Sequence, residues 1–220
     1  MGKTGSMSYK IKTKFSEKKF PRNNSRREEV YTEATKLFRK NGYLKTTMEE
    51  IAQAVKIKKG SLYYYIKDKE TLLFDILDRT NDILLESLRG LSLQGLPTKE
   101  KLARLIHIHL LNVSQYRNEI PLLINEAKNL RPDLRKMVFS KRTQYEKIFF
   151  EVIEEGLSNN TFIQHDKTMV RFWILGGIFW FFQWFNPAEK RPETIEKNAE
   201  EIERDFLRLL FNGLLVKRVS

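Results

Sequence analysis

The chain has 220 residues, no cysteine, 41% apolar and 12% aromatic side chains, and a formal net charge of +12. That length fits one large or two small domains, and that apolar content excludes wholesale disorder. Without cysteine there are no disulfides, thiolate metal sites or cysteine nucleophiles, which suits a reducing cytoplasm.

The charge is unevenly placed. Residues 1–25 carry a net +6, residues 26–75 a net +3, and the remaining 145 residues only +3. An excess gathered at one end points to a polyanion-binding end, although a solubilising cationic tail would show the same bias. Residues 1–25 have few apolar positions and no helical period, so a flexible basic arm is expected there. Met1 to Ser6 read as an expression-tag remnant, with Met7 as the native start. No apolar run near the N-terminus precedes a small-residue cleavage site, so no signal peptide is expected. The longest apolar run, Phe172 to Phe182, is too short for a bilayer span. A cytoplasmic protein with no membrane partner is expected.

From Arg26 onward the apolar period is helical. Val30, Ala34, Leu37 and Phe38 form one face of a first helix, with Asn24 or Ser25 as its cap. Glu28 and Glu29 sit in its first turn, and Gly42 stands where a C-terminal glycine cap belongs. Thr46 or Thr47 caps a second helix whose apolar face is Met48, Ile51, Ala52 and Val55. Lys56 and Ile57 lead to a third helix, Lys59 to Tyr65, and a fourth starts near Lys67–Lys69. Beyond a loop bracketed by Gly90 and Pro97, helices are expected from Thr98, around Pro121 to Asn129, and from Pro132 to Leu157. Two more are expected, from Asp166 to Phe185 (stopped by Asn186-Pro187) and from Glu193 to Leu214. The chain reads as all-α with about nine helices, without repeats or strand alternation. Residues 26–72 form a three-helix unit, and residues 73–220 a second, larger helical domain.

Two short helices joined by a tight turn, Thr47 to Ile66, make a helix-turn-helix. Its second helix reads Lys58-Lys59-Gly60-Ser61-Leu62-Tyr63-Tyr64-Tyr65, in which only Leu62, with Ile66 beyond, is an obvious core residue. Three consecutive helical positions span about 200°, so three tyrosines cannot all face one core. Facing DNA, phenol hydroxyls donate to phosphates and rings pack on sugars and thymine methyls. Lys58, Lys59, Lys67 and Lys69 flank this face and neutralise phosphates, while Gly60 leaves room for the backbone.

Residues 26–77 resemble the DNA-binding domain of the TetR family of repressors. The match runs through Lys40-Asn41-Gly42-Tyr43, Thr46-Thr47-Met48-Glu49-Glu50-Ile51-Ala52, Gly60-Ser61-Leu62-Tyr63-Tyr64-Tyr65-Ile66 and Lys69-Glu70-Thr71-Leu72. It departs where the family often has His and Phe and this chain has Tyr65 and Ile66. The resemblance implies that Thr47 anchors a phosphate and that Lys58, Lys59, Ser61 and Tyr63 approach bases. Tyr64, Tyr65 and Lys69 would then hold the DNA backbone of a palindromic double-stranded operator.

The resemblance also implies that the last two long helices pair with their copies in a homodimer. The helix around Phe172 to Phe182 is apolar on every side and so must be buried all round, which independently calls for a partner surface or a central position. Repressors of this family bind a small effector in the C-terminal domain and then release DNA. The segments Glu119 to Leu134 and Trp180 to Pro187 resemble regulators of fatty-acid and acyl-CoA metabolism. A small hydrophobic effector, an acyl-CoA, would need an apolar tunnel, for which Phe149, Phe179, Trp180, Gln183 and Trp184 are candidates. Arg131, Arg135 and Arg142 are candidates for its phosphates. A different lipophilic ligand of the drug-efflux kind is the alternative. Each such aromatic is more often plain core than ligand wall. The fourth helix links the two domains and is the expected lever for DNA release.

An enzyme is not expected. His107 and His109 point about 200° apart on a helix, Glu154 and Glu155 read as a solvated pair, and there is no GxSxG, P-loop or HExxH motif. No cofactor or metal is called for. A membrane-surface protein is the other rival, but the aromatic helix lacks the charged face such a protein requires.

Overall fold

A computed structural model of the protein describes residues 25–91, 93–184 and 199–214. Helix α1 (Ser25–Asn41) buries Val30, Ala34 and Phe38. It stops because Gly42 adopts φ +84°, a left-handed conformation that glycine accepts without penalty. Thr46 then folds back rather than capping: its hydroxyl donates to the Gly42 carbonyl at 2.9 Å. The cap of α2 (Met48–Ala54) is Thr47, in a complete capping box with Glu50. Ile51, Ala52 and Val55 turn inward, Lys56 takes the turn at φ +57°, and α3 (Lys59–Tyr65) packs through Leu62.

Helix α4 (Lys69–Arg89) is capped by Asp68, whose carboxylate accepts from the Thr71 N–H at 2.6 Å. Its first half carries Leu72, Leu73, Ile76 and Leu77 into the core, and its second half Leu84, Leu85 and Leu88. The helix is therefore a strut common to both halves of the molecule. Helix α5 (Thr98–Gln115) follows, then α6 (Glu119–Asn125). The single helix expected around Pro121 to Asn129 is instead α6 plus a separate 3-10 turn, Ala127–Asn129, beside which Asn129 bonds the Glu126 carboxylate at 2.6 Å. Helix α7 (Pro132–Ser158) lies along α4: Asn81 donates to the Val138 carbonyl at 3.0 Å, and Lys141 bridges Asp78 and Asp82 at 2.7 Å each.

Helices α8 (Lys167–Trp184) and α9 (Ala199–Leu214) complete the second half. Val170, Ile174 and Ile178 of α8 face inward, and Glu203 of α9 meets His107 of α5 at 2.6 Å. Between α7 and α8 the chain folds back so that Phe162, fully buried, lies directly against Gly156. The Phe162 N–H donates to the Gly156 carbonyl at 2.9 Å. Glu154 and Glu155 are not a solvated pair. Glu155 accepts from Lys101 and Thr98 at 2.8 Å each, which holds its carboxyl below the usual range, and Glu154 pairs with Lys167. The fold is all-α, with nine α-helices among the described residues. The expected basic arm, the Asn186-Pro187 stop and a start of the last helix at Glu193 lie outside the described residues.

Candidate functional site

The helix-turn-helix presents one polar and aromatic face. Thr47, Lys58, Lys59, Gly60, Ser61 and Lys67 are all exposed, and Tyr64 is 87% exposed although it is a large aromatic. Tyr63 is half exposed. A Cβ built on Gly60 would meet nothing within 4 Å, so no packing inside the chain requires glycine there. Lys59 lies 3.9 Å from Glu49 with both side chains half exposed, a weak pair that leaves the cation available to a phosphate.

Two predicted contacts are placed differently. Tyr65 is partly buried against the core and meets Tyr64 edge-on at 5.3 Å, because it stands three residues after Leu62 and shares that inward face. The Lys69 ammonium points into its own domain. It donates to the carbonyls of Tyr43, Leu44 and Thr46 at 3.1, 3.2 and 2.8 Å and lies 4.6 Å from the Tyr43 ring centre. Its three N–H bonds thus brace the turn before α2, and none points to an outside phosphate. Sequence reasoning did not single out Lys45 and Gln53, which are exposed on the same unit. Exposed polar residues leave no periodic signal.

The second half of the molecule contains a cavity of about 330 Å³ bounded by α4, α5, α6, α7 and α8 and open on one side. Leu84, Val113, Ile120, Leu123, Leu175 and Phe179 are among the apolar residues of its wall. Of the residues predicted for an effector, Arg142, Phe179, Trp180 and Gln183 line it. Phe149 does not: it is fully buried behind the wall, with its ring 5.8 Å from that of His109. Arg131 and Arg135 are not lining residues either. Arg131 stands at the start of α7, where it binds Asp133 at 3.0 Å and lies 3.7 Å from Glu70. The side chain of Trp184 lies outside the described residues.

The structure adds six polar lining residues that the sequence did not assign to an effector: Asn81, His109, Asn125, Tyr145, Glu146 and Arg171. Glu146 receives Arg142 on one oxygen and Arg171 on the other, each at 2.8 Å, so this corner carries one positive charge in excess. Deeper in, His109 Nδ1 lies 2.9 Å from the Tyr145 hydroxyl. Burial lowers the His109 pKa to about 4 and pushes that of Tyr145 well up, so both are neutral near pH 7. The cavity also touches the first half of the molecule: Gln183 accepts a hydrogen bond from Arg39 of α1 at 3.1 Å.

Helix α8 also carries apolar side chains at the surface. Met169, Phe172, Trp173 and Trp180 are each more than half exposed, Phe172 and Trp180 also lining the cavity, and Leu209 of α9 is exposed likewise. An apolar face of this size calls for a partner surface. Among the described residues no helix is long and apolar enough to cross a membrane, and no cluster of three His, Asp or Glu side chains could hold a metal.

These features coincide with known proteins. Residues 30–76 match the family of bacterial regulatory proteins, tetR family, and residues 95–214 match the tetracyclin repressor-like C-terminal domain. The transcriptional repressor KstR2 of Rhodococcus jostii is 24% identical over 193 residues, covering 87% of this chain and 92% of KstR2. Among solved structures, the TetR family regulator PfmR of Thermus thermophilus is 25% identical with a TM-score of 0.71, covering 86% of this chain and 99% of PfmR. AibR in complex with isovaleryl coenzyme A and operator DNA is 24% identical with a TM-score of 0.73, over 86% of this chain and 99% of AibR. The chain therefore belongs to the TetR family: it is a transcriptional regulator and not an enzyme, and it binds operator DNA as a homodimer and answers a small molecule.

Proposed function

We propose that this repressor leaves a palindromic operator when an acyl-CoA of short or medium chain enters the α4–α8 cavity. The observation that carries the reading is the cavity's polarity: an apolar interior beside the Arg142–Glu146–Arg171 corner with its excess positive charge. An acyl chain suits the first and an anionic head suits the second. A cationic lipophile, the drug-efflux alternative, would meet charge of its own sign at that corner. About 330 Å³ is at the small end for ligand sites, which favours a short chain whose nucleotide stays outside. AibR, of the same fold, was crystallised with isovaleryl coenzyme A and operator DNA.

On the DNA side, Lys58, Lys59, Ser61 and Tyr63 approach bases, while Thr47, Tyr64 and Lys67 hold phosphates. In the dimer the exposed α8 face is covered by its copy. Release follows when the ligand favours a state whose two recognition helices no longer match major grooves about 34–36 Å apart. Helix α4 transmits this, since Asn81 lines the cavity while the same helix roots the helix-turn-helix.

The test is the melting temperature of the purified protein against acyl-CoAs of increasing length, free fatty acids and CoA alone. Binding at a hundredfold excess over Kd stabilises by about 2.7 kcal/mol. A rise with acyl-CoA that peaks at short or medium length and is absent with CoA supports the reading. No response to any acyl-CoA or acid removes it and leaves the family assignment standing.

A further inference from the structure

The cavity and the exposed face of α8 share side chains. At about 100° per residue, Phe172, Gly176 and Trp180 stand about 160°, 200° and 240° round the helix from the buried Ile174. All three line the cavity. Met169 and Trp173, at about 220° and 260°, lie on the same arc. Phe172 and Trp180 are 54% and 57% exposed although they are cavity wall. The open side of the cavity therefore runs along the face that α8 turns outward.

Two details define that edge. The Arg171 guanidinium, which bonds Glu146 at 2.8 Å, lies 4.8 Å from the centre of the Phe172 ring, so Phe172 joins the charged corner to the surface. The two neighbouring glycines differ in what surrounds them. A Cβ on Gly177 would meet Phe206 of α9 at 3.7 Å, whereas one on Gly176 would meet nothing within 4 Å. Glycine is a poor helix former, and no packing inside the chain requires it at 176. Its use there fits the close approach of a surface from outside. The chain is a homodimer by family, and in a two-fold dimer both subunits use the same face. A copy seated on α8 of one subunit therefore covers both cavities at once.

We propose that the partner subunit closes the open side of the cavity, so that the effector is held between two subunits and its site is complete only in the dimer. The inference rests on the reading above, in which α8 meets its copy and the ligand is an acyl-CoA. It adds a linkage between ligand and assembly. Effector that binds the dimer more tightly than the separated subunit must tighten the dimer in return. With two sites per dimer, a tenfold gain at each becomes about a hundredfold fall in the dimer dissociation constant. DNA release is then a change of shape within an intact, tightened dimer, and not a separation of subunits.

The test uses the full-length protein and octanoyl-CoA. Trp173 lies on the exposed arc but does not line the cavity, so Trp173→Glu separates the subunits and leaves the wall as it is. The separated variant is expected to bind octanoyl-CoA at least about tenfold more weakly than wild type. Saturating octanoyl-CoA should in turn lower the dimer dissociation constant of wild type, read by sedimentation on dilution, by about a hundredfold. Equal affinity in both proteins, with a dimer indifferent to ligand, makes the cavity self-contained and overturns the proposal while the acyl-CoA reading stands. A Trp173→Glu protein that remains dimeric overturns it too, by moving the interface off α8. A second arm needs no ligand. The chain has no cysteine, so Phe172→Cys carries its only thiol. Its reaction with a maleimide should be at least about tenfold slower above the dimer dissociation constant than below it, because the copy covers residue 172. Fast reaction at every concentration leaves the face open, slow reaction at every concentration assigns the cover to the same chain, and either overturns the proposal. If Trp173→Glu does not fold, the dilution of wild type and the thiol decide. If octanoyl-CoA does not bind wild type, the acyl-CoA reading is lost at that length and the thiol alone decides whether the partner closes the cavity.

Discussion

Gly156→Ala isolates the contact that joins α7 to α8. The new Cβ would lie 2.0 and 2.1 Å from Phe162 Cδ2 and Cε2 and 2.8 Å from Cγ, whereas carbon atoms in contact sit about 3.5–4.0 Å apart. The ring must retreat by about 1.5 Å, yet Phe162 is fully buried and its own N–H is tied to the Gly156 carbonyl. It is left with strain or expulsion. Overpacking costs about 1–3 kcal/mol, and losing a buried phenylalanine about 3–5 kcal/mol. Helix propensity alone would make alanine better than glycine here by about 1 kcal/mol. The sign of the effect therefore depends on Phe162. Urea unfolding of four proteins (wild type, each single variant and the double) forms the cycle. Gly156→Ala should destabilise wild type by about 2–4 kcal/mol and be neutral or stabilising by up to about 1 kcal/mol in a Phe162→Ala background. A stabilising Gly156→Ala in the wild-type background would refute the placement of Phe162.

Other outcomes test the rest of the structure. The folded pKa of His109, about 4, lies below its ordinary 6.5. Stability held above pH 6.5 is therefore lost as pH falls from there toward 4, because only the unfolded chain takes up the proton. Denaturant midpoints across that range should show this slope in wild type and less of it in His109→Leu. Lys69→Met should lower the melting temperature but leave the slope of log affinity against log salt for duplex DNA unchanged. A slope reduced by about 0.9 would instead assign the ammonium to a phosphate. Trp173, which stacks on Phe206 at 6.0 Å and is otherwise half exposed, becomes a charge in the subunit interface in Trp173→Glu. Sedimentation should then show the dimer weakened by at least about 100-fold, with operator binding lost in parallel, and an unchanged dimer would move the interface elsewhere.

What the sequence disclosed depended on whether a signal was local. The Thr47–Glu50 capping box is a four-residue pattern, and Gly42 is a single-residue one, so both ends of that turn were legible to within one residue. Periodicity located α5 and α7 because each buries a continuous stripe, and α8 was located by its unbroken apolar run. The position of Tyr65 was also available in principle, since three residues beyond Leu62 returns a helix to the same face. Treating all three tyrosines as outward overlooked that geometry. Lys69 was not legible, because the three carbonyls it caps lie 23 to 26 residues away and only the folded turn gathers them. The cationic corner divides in the same way. Arg142 and Glu146 are an i,i+4 pair on one helix, but Arg171 joins them from 25 residues further along the chain. Arg131 and Arg135 were attractive on charge alone, and charge does not say which side of α7 a residue occupies.

Gln183 belongs at once to the wall of the cavity and, through Arg39, to the first helix of the DNA-binding half. A side chain shared in this way makes the two events thermodynamic partners, and whatever factor separates the effector's affinity for free and DNA-bound protein must equal the factor by which effector weakens DNA. On the proposed release mechanism the operator is itself an antagonist of the effector. A promoter at which the repressor is held tightly will need more effector to clear than one at which it is held loosely, so one protein with one cavity can switch different genes at different ligand concentrations.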